Sequence, residues 1–77
     1  MNFEEALQKL LYGKKIRREI WDCRKNTQWM ESNGDRVRLK LYDPETKNVT
    51  TIRDWYSHEA VFSLDDVTAE DWEVYNG

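Results

Sequence analysis

The dipeptide Asn33-Gly34, set between two alternating segments, constrains this chain more than any other feature. Asn-Gly tolerates the positive backbone angles of a tight reversal, so the residues on either side are expected to pair as antiparallel strands. After the turn, Val37, Leu39 and Leu41 alternate with Arg36, Arg38 and Lys40 over residues 36–42. Successive strand side chains point to opposite faces, so this strand has one apolar face and one wet, basic face. Its partner is expected over residues 27–31. A second turn over residues 43–48 uses Pro44 to set one dihedral angle and Asp43 to hold the backbone beyond it. The β-branched run that follows predicts another strand over residues 49–55.

Both ends of the chain supply the rest of the unit. Phe3, Ala6, Leu7, Leu10 and Leu11 recur at helical spacing, Asn2 and Glu5 form a capping-box pattern, and Gly13 is placed to end the helix. Residues 14–21, KKIRREIW, then alternate as a strand, with Ile16, Arg18 and Ile20 expected on one face and Arg17, Glu19 and Trp21 on the other. Residues 56–62 read as a connection. Ser63 caps a short helical turn before Asp65 and Asp66, and WEVY closes the chain as a last strand. The expected fold is α+β, a single domain over residues 1–77 with one N-terminal helix on an antiparallel sheet of four to five strands.

Several classes of function are disfavoured. His58 is the only histidine and Cys23 the only cysteine, so an internal disulfide is impossible and a zinc site of the usual type is not expected. No Gly-rich phosphate loop and no nucleophile motif appears, and the paired carboxylates Glu4-Glu5, Asp65-Asp66 and Glu70-Asp71 sit at helix starts or turns, where the helix dipole explains them. A non-enzymatic protein without a cofactor is expected. The formal net charge of −3 argues against general nucleic-acid binding. No apolar stretch approaches the roughly 20 residues that span a membrane, and no secretory signal is visible, so a cytosolic protein is expected.

Binding is the stronger reading. Four tryptophans and four tyrosines in 77 residues exceed what so thin a core can bury. Tryptophan and tyrosine favour interfaces and stacked ligands, so a homo-oligomer is expected, along with an aromatic binding surface. Trp21 lies near Arg17, Arg18 and Arg24 in the sequence, which pairs a plane for a base with forked donors for phosphate. For Trp21 and Trp72 the alternative is that they plug the two ends of the core.

The N-terminal NFEEALQKLLYGKKIRREIW and the C-terminal DDVTAEDWEVY together resemble the phage and prophage Thoeris anti-defence family of the second type. The resemblance rests on Phe3, Ala6, Leu7, Gly13, Lys14, Lys15, Arg18 and Trp21, then on Ala69, Asp71, Trp72, Glu73 and Val74, in roughly the first and last quarters of the chain. The segment between them lacks the central motif of the longer members. The resemblance implies a helix packed on an antiparallel sheet, assembled into dimers or tetramers. It also implies a sponge that sequesters a cyclic nucleotide immune signal of the cyclic ADP-ribose isomer type without catalysis. With it, the candidate ligand contacts become Arg17, Arg18, Trp21, Arg24, Trp55, Asp71 and Trp72. The competing expectation is a protein-binding inhibitor of a host defence enzyme, with the acidic second half as the docking surface or nucleic-acid mimic.

Overall fold

The computed structural model describes residues 1–21 and 27–76. Arg24 therefore lies outside the described residues. Helix α1 spans Phe3–Leu11 and is capped as the sequence predicts: Asn2 Oδ1 accepts the Glu5 N–H at 2.9 Å, and Glu5 Oε1 accepts the Asn2 N–H at 3.3 Å. Gly13, at φ 87°, turns the chain out of the helix into β1 (Ile16–Arg18). Then follow β2 (Thr27–Ser32), β3 (Arg36–Asp43), β4 (Asn48–Tyr56), a short helix α2 (Leu64–Thr68) and β5 (Trp72–Val74). The five strands form one antiparallel sheet in the order β4-β3-β2-β1-β5, as the α+β expectation requires.

The hairpin at Asn33-Gly34 forms with a three-residue loop. Only Gly34, at φ 98°, adopts a positive angle there; Asn33 Oδ1 instead accepts the N–H groups of Asp35 (3.1 Å) and Arg36 (2.8 Å). The side chain thus does the work that a second positive angle does in a two-residue reversal. Ser63 caps α2 as expected, its hydroxyl accepting the Asp66 N–H at 3.2 Å.

One sheet face carries the core: Ile16, Met30 and Val37 pack with Ala6 and Leu10 of α1 and with Trp72. Leu7 is half-buried against this cluster, whereas Leu11, expected in the same stripe, is 68 % exposed just before the helix terminates. Among the described residues no helix lies on the other face of the sheet. That face presents Lys15, Arg17, Trp29, Glu31, Arg36, Arg38, Lys40 and Tyr42, which follow from the alternation and the register.

Two local departures from alternation decide what reaches that open face. β1 ends at Arg18, where residues 19–21 wind into a 3₁₀ turn, Glu19–Trp21. Its neighbour β5 begins at Trp72 opposite Arg18, and one further backbone bond, from the Glu19 N–H to the Asp71 carbonyl at 3.0 Å, continues past that pair into the turn. Trp21 is consequently on the core side against Trp72, rather than beside Arg17 as strict alternation predicts, and Ile20 is 66 % exposed. The second departure is a β-bulge: Leu39 pairs with Arg53 but Lys40 pairs with Thr51, which leaves Ile52 as the extra residue. A one-residue shift moves every later side chain to the other face. Val49 and Thr51 therefore join Tyr42 and Lys40 on the open face, while Trp55, opposite Val37, stays on the core face.

Candidate functional site

Four of the expected ligand contacts meet at one corner of the core side. Trp72 is 2 % exposed; its indole Nε1 donates to the Asp66 carbonyl at 2.9 Å, and its ring lies edge-on to Trp21 at 5.3 Å and tilted against Phe3 at 5.7 Å. Arg18 is held by two carboxylates, Nε to Asp71 at 2.8 Å and Nη1 to Asp66 at 3.0 Å, with only 13 % of its side chain exposed. Trp55 is half-buried on the same side of the sheet, across β3. The corner is a packed, internally satisfied assembly. Its ion pairs also answer why the chain closes on an acidic turn before a tryptophan: α2 and the turn deliver Asp66 and Asp71 to Arg18 as β5 zips onto β1.

That ion pair makes acid sensitivity predictable. The hydrogen bond from Arg18 holds the Asp71 carboxyl below its ordinary 3.8, and burial opposes the shift only partly. A depressed carboxylate contributes stability that is complete above its unfolded value and is lost as pH falls through its folded value. Stability should therefore be flat above about pH 5 and decline below about pH 4, with Asp54, lowered in the same way by Arg36, adding to the loss. Thermal melting between pH 7 and pH 2.5 checks this, and Asp71→Asn should flatten part of the acid limb. An acid limb unchanged in that variant would separate Asp71 from the effect.

Arg17 is the one described candidate that reaches the open face. Its Nε donates to Glu73 at 2.7 Å and its guanidinium lies 4.9 Å from the ring centre of Tyr75. Tyr75 stacks on Trp29, with centroids 5.1 Å apart and planes inclined by 24°, and the Lys15 ammonium sits 5.4 Å from the Trp29 ring centre. The result is a continuous series of contacts, Arg17 to Tyr75 to Trp29 to Lys15, cationic at both ends. Cations over aromatic faces attract through the ring quadrupole, by about 0.5–1 kcal/mol at exposed sites. Beside this series lies a cleft of about 340 Å³, lined by Lys15, Trp29, Tyr42, Val49 and Tyr75. That is near the lower end of the roughly 300–1,000 Å³ of small-molecule pockets.

Lys15, Trp29, Tyr42 and Tyr75 were outside the residues expected from sequence, although a signal for them exists. Strand parity places Lys15 with Arg17, and counting outward from Asn33-Gly34 sets Trp29 opposite Lys40, on the wet face. Val49 follows Tyr42 in the same way, because the two flank the turn over residues 43–48 and pair across it. Among the described residues five cations, Lys15, Arg17, Arg36, Arg38 and Lys40, share the open face with three carboxylates, Glu31, Asp54 and Glu73. A chain of net charge −3 thus keeps a face of opposite sign. Among the described residues no cluster of His, Cys, Asp and Glu is arranged to hold a metal ion, and no helix is long and apolar enough to cross a membrane.

A helix backed by five antiparallel strands, with an aromatic and cationic cleft on the face opposite the helix, defines a small α+β fold. The sequence pattern of the Tad2-like family, the Thoeris anti-defense 2-like domain, matches residues 1–75, and the chain belongs to that family. The match runs through the central segment as well as the two ends. Membership supports a role in countering Thoeris defence. No curated protein and no solved structure matches the chain.

Proposed function

We propose that this protein counters Thoeris by sequestering, without catalysis, a cyclic nucleotide signal of the cyclic ADP-ribose isomer type. The observation that carries the reading is the cleft beside the Arg17–Tyr75–Trp29–Lys15 series, where an apolar wall stands next to fixed cations on a face no helix covers. A cyclic nucleotide needs those two things together: a plane or apolar wall for its base and donors for its phosphates. Tyr42 and Val49 form the wall away from Tyr75, Lys15 supplies charge at the lining, and Arg17 supplies it from behind Tyr75.

Calorimetric titration of cyclic ADP-ribose isomers and cyclic dinucleotides tests this reading. Tyr42→Ala should weaken binding roughly five- to a hundredfold, the scale of one lost base–aromatic stack. Arg17→Ala should weaken it by roughly ten- to a hundredfold through a lost charge-assisted bond. Trp21→Ala, on the core side, should leave the affinity of the folded fraction unchanged. A loss confined to Trp21→Ala would move the site to the packed corner. No binding of any such nucleotide by the parent would favour the second reading, a protein-binding inhibitor of a host defence enzyme. The exposed acids Glu4, Glu5 and Asp65 on the helix side support that reading.

Assembly into a homo-oligomer, at least a dimer, belongs to the same proposal. β4 is a nine-residue edge strand whose Val49, Ile52 and Tyr56 are 54 %, 43 % and 53 % exposed. Long, unshielded edges with apolar side chains are surfaces that natural proteins usually cover. Light scattering across a concentration series should give a mass of at least twice 9.3 kDa. A monomer persisting at high micromolar concentration would count against it.

A further inference from the structure

A second, smaller cleft opens on the same bare face, between the chain entering β1 and the β2–β3 hairpin. It holds about 140 Å³ and is lined by Gly13, Lys15, Glu31, Ser32, Asn33, Arg36 and Arg38. That is too small for a nucleoside, given roughly 300 Å³ for the smallest ordinary ligand pockets, but it suits a compact group. Lys15 lines both this cleft and the aromatic one, so the two adjoin along the face.

The chemistry of the smaller cleft is one-sided. Its sole lining carboxylate, Glu31, is already engaged, facing Lys40 at 3.7 Å and Trp29 Nε1 at 3.4 Å. Arg36 and Arg38 share one carboxylate: Asp54 accepts from Arg36 Nε at 3.0 Å and faces Arg38 Nε at 3.6 Å, while the Arg36 guanidinium also lies 4.3 Å from the Tyr56 ring centre. Both ion pairs use Nε, so Asp54 does not take up the terminal amino groups of the two forks. Among the described residues Lys15 faces no carboxylate, only the Trp29 ring. Asn33 accepts two backbone N–H groups through Oδ1, which keeps its NH₂ group available, and the Ser32 hydroxyl accepts from Gly34 N and retains its own proton to donate. Lys15, Arg36, Arg38, the Asn33 amide and the Ser32 hydroxyl thus give this cleft a surplus of donors. Gly13 adds no side chain, and a Cβ there would meet nothing within 4 Å, so its flank of the cleft is open.

We propose that this cleft is a phosphate site, with Lys15, Arg36 and Arg38 as its cations and Asn33 and Ser32 as neutral donors. It takes a phosphate or pyrophosphate group of a ligand whose base lies in the adjoining aromatic cleft. This rests on the nucleotide reading for the identity of the ligand and not for the existence of the anion site. Lys15 is the hinge between the compartments, within reach of the ring on one side and the phosphate on the other. Asp54 is the intramolecular competitor, occupying the two guanidiniums until a stronger anion arrives.

The competitor supplies the decisive test. Inorganic pyrophosphate is titrated into the protein by calorimetry at low and high salt, and then used to compete with a bound cyclic nucleotide. The parent should bind pyrophosphate, more weakly as salt rises, and pyrophosphate should displace the nucleotide. Arg38→Gln and Lys15→Gln should each weaken pyrophosphate about tenfold. Asp54→Asn should strengthen it, a change of sign that a purely structural role for the ion pair does not produce. Circular dichroism confirms that each variant is folded; Lys15→Gln breaks no ion pair and serves if Arg38→Gln does not fold. If a cyclic nucleotide binds but neither variant changes its affinity and pyrophosphate does not compete, the phosphate site is overturned and the sponge reading stands. If pyrophosphate binds with this variant pattern and no cyclic nucleotide does, the anion site stands and the sponge reading fails.

Discussion

Trp72→Ala should destabilise the protein by about 3–5 kcal/mol, the range for removing a large buried aromatic. The ring is 2 % exposed, is contacted by both Phe3 and Trp21, and spans from α1 to the 3₁₀ turn after β1. A 77-residue domain at about 0.05–0.15 kcal/mol per residue has only roughly 4–12 kcal/mol in total. The variant should therefore be substantially unfolded at room temperature, or unfold at much lower urea. Trp72→Phe separates the contributions, because it keeps an apolar ring but leaves the Asp66 carbonyl without its 2.9 Å donor. That loss should cost about 1 kcal/mol beyond the volume change. Urea midpoints for the three proteins decide the matter. A midpoint for Trp72→Ala close to that of the parent would mean that the corner is not part of the cooperative core.

Leu10→Ala should come next, at about 2–5 kcal/mol. Leu10 is 1 % exposed and sits with Ala6 against Ile16 and Met30, at the middle of the contact between α1 and the sheet. Leu11→Ala is the matched control, one residue further on and 68 % exposed, and should change stability by less than about 0.5 kcal/mol. The contrast between neighbours tests the orientation of the helix rather than its existence. Equal losses in the two variants would mean that α1 is rotated about its axis.

Those predictions rest on features of unequal visibility. The helix, its Asn2–Glu5 cap and its Ala6–Leu10 stripe were legible because each depends on contacts within about one turn of chain. The same holds for the Asn33-Gly34 reversal and for the Ser63 cap. The expected site was harder to read. Arg17 does reach the open face, against the Tyr75 ring, but Arg18, Trp21, Asp71 and Trp72 are joined in one internally paired corner. Strand alternation suggested that Trp21 and Arg17 share a face, and a 3₁₀ turn separates them.

What the sequence determined alone is the set of elements, their antiparallel pairing and the presence of one basic wet face, since periodicity and turn chemistry are local properties. The tertiary structure decided where each face begins and ends. β1 ends at Arg18 in a 3₁₀ turn that carries Trp21 to the core side, and the bulge at Ile52 lets Val49 lie beside Tyr42 on the open face while Trp55 stays on the core face. Both are departures from strict alternation. A single strand's own alternation holds no record of its neighbours, so the cleft emerges only once the five strands lie side by side.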